Sequence, residues 1–186
     1  MERLDRYVAI RVRAKKHGEQ GQIASNLVYL LERYINMALL ALQRIMEDNA
    51  ALDIPRATPG PDPFAFFSLF ADIHFYLVAV DNVRKVLERL STHLDKTLRK
   101  TLNDVLKPYR HFLNCAQSIR DHLEHSDERV GARGKKGKRD LDMTYQGLDG
   151  WKYQVLGESI KVGPPAARVL IRLYSDLEKA LKELYP

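Results

Sequence analysis

"QIASNLVYLLERYINMALLALQRIMEDNAA", residues Gln22 to Ala51, decides the fold class. Ile23, Leu27, Leu31, Tyr34, Ala38, Leu42 and Ile45 recur at intervals of three and four. That spacing sets them on one face of a helix, with polar residues between them. An amphipathic stretch this long must bury its apolar face against other elements, which predicts a helical bundle. "IPRATPGPDP" ends it, because four prolines and a glycine cannot continue a helix.

The same periodicity extends in both directions. Residues 1–17 are ambiguous: Val8, Ile10 and Val12 alternate like a strand, while Leu4, Tyr7 and Val8 stand at helical spacing, toward which the segment leans. A second helix is expected from Pro63 to about Leu90, with Asp62 as its N-cap. Its first half, "FAFFSLFADIHFYLVAV", is apolar nearly all round, so Phe64 to Tyr76 belongs to the core or to a subunit contact. A third helix covers Thr92 to Leu106, with Leu94, Leu98, Leu102 and Val105 inward. Pro108 lacks a backbone donor, so the helix is expected to restart there. The fourth helix then runs to Arg129 on a stripe of Phe112, Ala116, Ile119 and Leu123.

After the basic segment "RVGARGKKGKRD" the period changes to two. Leu141, Met143 and Tyr145 alternate with polar residues, as do Trp151, Tyr153 and Val155. "GLDG" and "LGES" read as turns, giving a meander of two or three strands. A closing helix starts near Pro165, with Leu170, Leu173, Leu177, Leu181 and Leu184 inward. The expected fold is mainly α: a single domain over residues 1–186, an antiparallel four- to five-helix bundle with a basic loop at 130–140 and a β appendage at 141–162 before the last helix.

Bulk properties narrow the class. An apolar share of 45% with 29% charged residues suits a soluble globular chain. Two aspartates and a histidine in or beside the longest apolar run make it poor material for a membrane span. No secretory signal is read at the N-terminus. A lone cysteine, Cys115, excludes an internal disulfide and points to a reducing, cytoplasmic compartment. Its helical spacing from Phe112 and Ile119 makes it a core thiol. The net charge of +6 favours polyanions without specifying one.

Chemistry concentrates in "QSIRDHLEHSDERVG", Gln117 to Gly131. On a helical wheel Arg120, Asp121, Glu124 and His125 spread over the flank opposite the apolar stripe, facing water or another subunit. Asp121 and His125 are four apart, so the carboxylate can orient the imidazole and favour its protonated form. The helix C-terminus acts in the same direction. Arg120 and Glu124 share the spacing and can pair. An imidazole can move a proton of a ribose 2′-hydroxyl or of a leaving oxygen, and a guanidinium can hold the phosphate between them. One imidazole does one of these jobs at a time, so a two-fold copy would supply the other. The plain alternative is a solvated helix flank, which such compositions commonly make.

"RDHLEH", Arg120 to His125, resembles the signature of the HEPN superfamily (higher eukaryotes and prokaryotes nucleotide-binding): an Arg, a polar residue, three variable positions and a His late in a long helix of a bundle. "IRDHLEHSDER" is similar to that signature as it stands in bacterial members. The resemblance implies a metal-independent endoribonuclease of toxin–antitoxin or defence systems, acting as a homodimer. Arg120 would contact phosphate, Asp121 would be its polar companion and His125 the acid or base. Asp127 stands where one subtype has a nucleotidylated tyrosine, so that mode of control by an antitoxin is not implied. The resemblance equally allows a non-catalytic module binding a nucleotide, RNA or protein.

Around this set, His74, His122 and Glu124 are expected as supporting residues, and Arg129, Arg133, Lys135 and Lys136 as a phosphate-binding arm for RNA, salt-sensitive and indifferent to base sequence. The bland reading of that arm is a solvated loop. His122 and His125 are three apart, but "HLEH" fits neither common zinc-protease spacing. Asp72 and His74 are the sole suggestive further ligands. No metal or other cofactor is expected. The partners expected are a second copy, RNA and an antitoxin protein, with no membrane.

Overall fold

The computed structural model describes residues 4–53, 63–124, 146–149, 151–155 and 158–185, without the side chains of 49–53, 63–66, 146–149 and 184. Among them the chain is mainly α, a multi-helix bundle with a small antiparallel sheet before the last helix. Its elements are α1 (Val8–Lys15), α2 (Gly18–Asp53), α3 (Pro63–Thr92), α4 (Lys96–Leu106), a 3-10 turn (Lys107–Tyr109), α5 (Arg110–Glu124), β1 (Gln146–Asp149), β2 (Lys152–Val155), β3 (Glu158–Lys161) and α6 (Gly163–Leu184).

The long stripe of α2 behaves as its spacing demands. Leu27, Leu31, Ala38, Leu42 and Ile45 are all buried. Leu69, Ile73, Leu77, Val80 and Leu87 of α3 are buried as well, and α2 and α3 share the most extensive seam among the described residues. Transfer of such side chains from water drives this association, at about 1.5–3 kcal/mol for each one fully buried. α5 lies on α3 through Leu113, Ala116 and Ile119, and α6 lies on α2 and α4. Phe112 and Leu123, expected in the α5 core stripe, are half-buried at its edge, and Leu113 takes the central place. Cores select by helix-to-helix contact, which a wheel drawn for one helix does not contain.

Local signals explain most boundaries. Asp95 caps α4, its carboxylate accepting from Thr97 N–H at 2.8 Å and Leu98 N–H at 2.9 Å. The third helix therefore starts later than Thr92, worth about 1 kcal/mol through that cap. Pro108 does not break the chain. It sits in the first turn of a 3-10 segment, where its missing donor is not required, and α5 follows directly. The Asp62 cap and residues 125–129 of the fourth helix lie outside the described residues.

The sheet has order β1-β2-β3, with Gln146 opposite Val155 and Tyr153 opposite Ile160. "GLDG" was expected to turn, yet Gly147, Leu148 and Asp149 pair with Gln154, Tyr153 and Lys152. The two strands are paired as far as Asp149 and Lys152. Leu141, Met143 and Tyr145, expected as strand, lie outside the described residues. Tyr153, Val155 and Ile160 turn one face of the sheet to the core. Cys115 Sγ donates to the Ser159 carbonyl at 3.1 Å, which fastens β3 to α5. Gly163 starts α6 at φ +63°, with the ring of Trp151 laid against its Cα. No helix among the described residues is long and apolar enough to cross a membrane.

Candidate functional site

The last two turns of α5 present Arg120, Asp121, His122 and Glu124. The Arg120 side chain is only 15% exposed, because it points into the seam with α3. This corrects the expectation that Arg120 faces water or a second subunit. Its Nη1 donates to Asp81, its Nη2 donates to Asp121, and its Nε lies 3.3 Å from Glu124 Oε2. The pairing of Arg120 with Glu124 anticipated from their spacing is present.

Asp81 is the anchor of the cluster. It interrupts the apolar run of α3 and its side chain has no exposed surface. A buried carboxylate is costly unless it is paired and hydrogen-bonded. Three cations meet that requirement: Arg120 from α5, Arg84 Nε at 2.9 Å and Lys85 Nζ at 2.9 Å from the next turn of α3. Burial by itself would raise the Asp81 carboxyl, but hydrogen bonds from Lys85 and Arg84 and the charge of Arg120 outweigh it. Asp81 therefore titrates below the ordinary aspartate value. Burial likewise works against the Arg120 cation, and Asp121, Asp81 and Glu124 more than restore it.

The outer partners differ from the inner one. Asp121 and Glu124 are 38% and 41% exposed. Ion pairs at such a rim are worth about 0–1 kcal/mol and exchange readily. The guanidinium thus has one face fixed from beneath and another whose partners another anion can replace.

His74 of α3 reaches this rim, its Nε2 lying 3.9 Å from Glu124 Oε1. That nitrogen is buried and has no hydrogen-bond partner among the described residues. Glu124 therefore stands between an imidazole and a guanidinium. His122, grouped with these in the sequence, goes to the opposite flank of α5. Its Nε2 lies 3.9 Å from Glu158 Oε1, and the same carboxylate oxygen accepts from Ser118 Oγ at 2.7 Å. The reason is angular: two residues along a helix carry a side chain to the far side.

His125, Arg129, Arg133, Lys135 and Lys136 lie outside the described residues. Cys115 is half-buried, and burial first, then the charge of Glu158, holds its thiol above the ordinary value despite the bond to Ser159. Such a thiol is a poor nucleophile at neutral pH. Asp72, weighed as a metal ligand, instead approaches Arg44 at 3.6 Å. Among the described residues no three His, Cys, Asp or Glu side chains converge as a metal-ligand set.

The motif around Arg120 does not point to Asp81. The signal was present: an aspartate directly after "VAV" on a core-facing helix, with Arg84 and Lys85 one turn on. Its third partner, Arg120, is 39 positions away and has no local mark.

No protein-family model, no curated protein and no solved structure matches this chain.

Proposed function

We propose that the chain is a homodimeric, metal-independent endoribonuclease of the HEPN kind, with a role in toxin–antitoxin or defence systems. What supports this is the state of Arg120: its guanidinium is fixed on one side by the buried Asp81 and offered on the other through exchangeable rim carboxylates. A scissile phosphate replaces Asp121 and Glu124 on that side. The charge growing on its non-bridging oxygens is met by a cation already oriented for it.

The chemistry balances without a metal. The ribose 2′-oxygen forms a bond to phosphorus as its proton passes to the His125 imidazole of one copy. The bond from phosphorus to the 5′-oxygen breaks, and that oxygen takes a proton from the imidazolium of the second copy. The products are a 2′,3′-cyclic phosphate and a 5′-hydroxyl. Arg129, Arg133, Lys135 and Lys136 add phosphate contacts along the strand.

The deciding experiment is RNA cleavage in the presence of chelator by His125→Ala. Cleavage should vanish while far-UV circular dichroism stays unchanged; retained cleavage overturns the assignment. A second reading, a non-catalytic HEPN-like module for a nucleotide, RNA or antitoxin protein, is favoured by one observation. All three guanidinium nitrogens of Arg120 already face carboxylates. It predicts no cleavage by the wild type under any condition, with binding retained.

A further inference from the structure

Residues Leu4 to Tyr7 precede α1 and are held by side chains of other helices. Asn36 of α2 accepts from Leu4 N–H with Oδ1 and donates from Nδ2 to the Leu4 carbonyl, both at 2.8 Å. Glu32, one turn earlier, accepts from Tyr7 N–H at 3.2 Å. The Tyr174 hydroxyl of α6 accepts from Arg6 N–H at 2.6 Å and donates to Glu32 Oε1 at 2.6 Å. The Tyr7 ring is fully buried and stacks on Tyr174, centroids 4.2 Å apart and planes at 11°. Its hydroxyl donates to the Tyr174 carbonyl at 2.8 Å.

This is how a receptor reads a peptide: backbone groups met by fixed side chains, and one large side chain taken into a fitted slot. The side chain of Asp5 faces solvent, while that of Arg6, itself largely exposed, reaches Glu178 of α6 at 3.6 Å. What the cleft selects is an apolar residue and, three positions on, a tyrosine, with a basic residue favoured just before the tyrosine, followed by the buried Ile10 and Ala14 of a short helix. The connection to α2 turns at Gly18, in the left-handed region at φ +69° with nothing within 4 Å of where a Cβ would stand. At helical φ there, α1 would run on in line with α2. The rise from Gly18 back to Tyr7 would be about 16 Å, carrying the ring away from its own slot.

We infer that the cleft between α2 and α6 is a binding site for a Leu-x-x-Tyr arm, filled here by the chain's own residues 4–7 and, when the Gly18 turn opens, by the same arm of a second copy. Exchange of an identical element costs little because the contacts made are the ones lost. This inference stands apart from the nuclease proposal and uses none of its residues.

The test uses full-length protein and a fluorescent peptide of residues 4–15, LDRYVAIRVRAK. In the wild type the tethered arm competes at an effective concentration on the order of millimolar, so the peptide binds weakly. Tyr7→Ala removes the arm's anchor. Gly18→Ala strains the turn without any clash and leaves cleft and arm intact. Both variants should bind the peptide about tenfold or more tighter than wild type, and adding Asn36→Ala to either should cancel that gain. Unlabelled full-length Gly18→Ala, with its Tyr7 intact, should displace the peptide from Tyr7→Ala. If Tyr7→Ala fails to fold, Gly18→Ala decides alone, with the full-length competition run against peptide bound to Gly18→Ala itself. Binding no better than wild type, or insensitive to Asn36→Ala, overturns the receptor site. Peptide binding that no full-length chain can displace overturns the second copy as donor.

Discussion

Arg120 and Asp81 meet across the seam of α5 and α3, a guanidinium closed onto a carboxylate that has no exposed surface. The contact joins the candidate site to the core of the bundle. A change made for its chemistry can therefore act through stability, and the two effects have to be read separately.

Asp81→Asn should cost about 3 kcal/mol in urea denaturation, since removing one member of a buried charge cluster leaves the others uncompensated. The pH dependence has a definite sign. The folded Asp81 carboxyl lies below its ordinary value, so its contribution is complete above the unfolded value of about 3.9 and is lost as pH falls through the folded one. Wild type should thus lose stability more steeply than Asp81→Asn below about pH 4. Asp72, raised first by burial, works in the opposite sense but is common to both proteins. Parallel acid profiles would show that Asp81 is not the anchor.

Glu124→Gln tests whether the rim carboxylates compete with phosphate. In a His125→Ala background, which blocks turnover, its RNA affinity by fluorescence anisotropy should rise about two- to fivefold, the scale of one exposed ion pair. Weaker or unchanged binding would place the phosphate elsewhere.

Phe67 and Phe75 stand two helical turns apart on α3 and are 70% and 63% exposed. A nuclease working through two copies of the Arg120 face needs a contact close to that face, and His74, next to Phe75, already touches the rim. Phe75→Glu should weaken self-association about tenfold or more in sedimentation velocity and reduce cleavage in proportion. Unchanged association would remove this face of α3 from the proposed dimer contact.

Gly163→Ala should destabilise the protein by about 2 kcal/mol or more. It forces an L side chain into the left-handed region and sets a methyl 2.1 Å from Trp151 Cε3. Trp151 is the single tryptophan, so its fluorescence reports the displaced ring directly. Unaltered emission with unaltered stability would contradict the described contact.

The α2 stripe, the proline start of α6 and the change to period two near Tyr153 were legible from order alone, because each follows from the geometry of one element. So was the Arg120–Glu124 pair, which one helix carries on its own surface. The strand at Gly147 to Asp149 was not legible. A glycine-flanked tetrapeptide turns by local preference, and only pairing with β2 makes it a strand.

Sequence by itself determined that this chain is mainly helical, the order of its long helices, and that a guanidinium and an imidazole stand at the two ends of one six-residue motif. Only the tertiary structure decided where that guanidinium goes. Periodicity fixes the angle of a side chain about its own axis but not what stands opposite. The burial of Asp81 on α3, with a charge that had to be met in the core, drew Arg120 inward from a flank that local geometry left facing water.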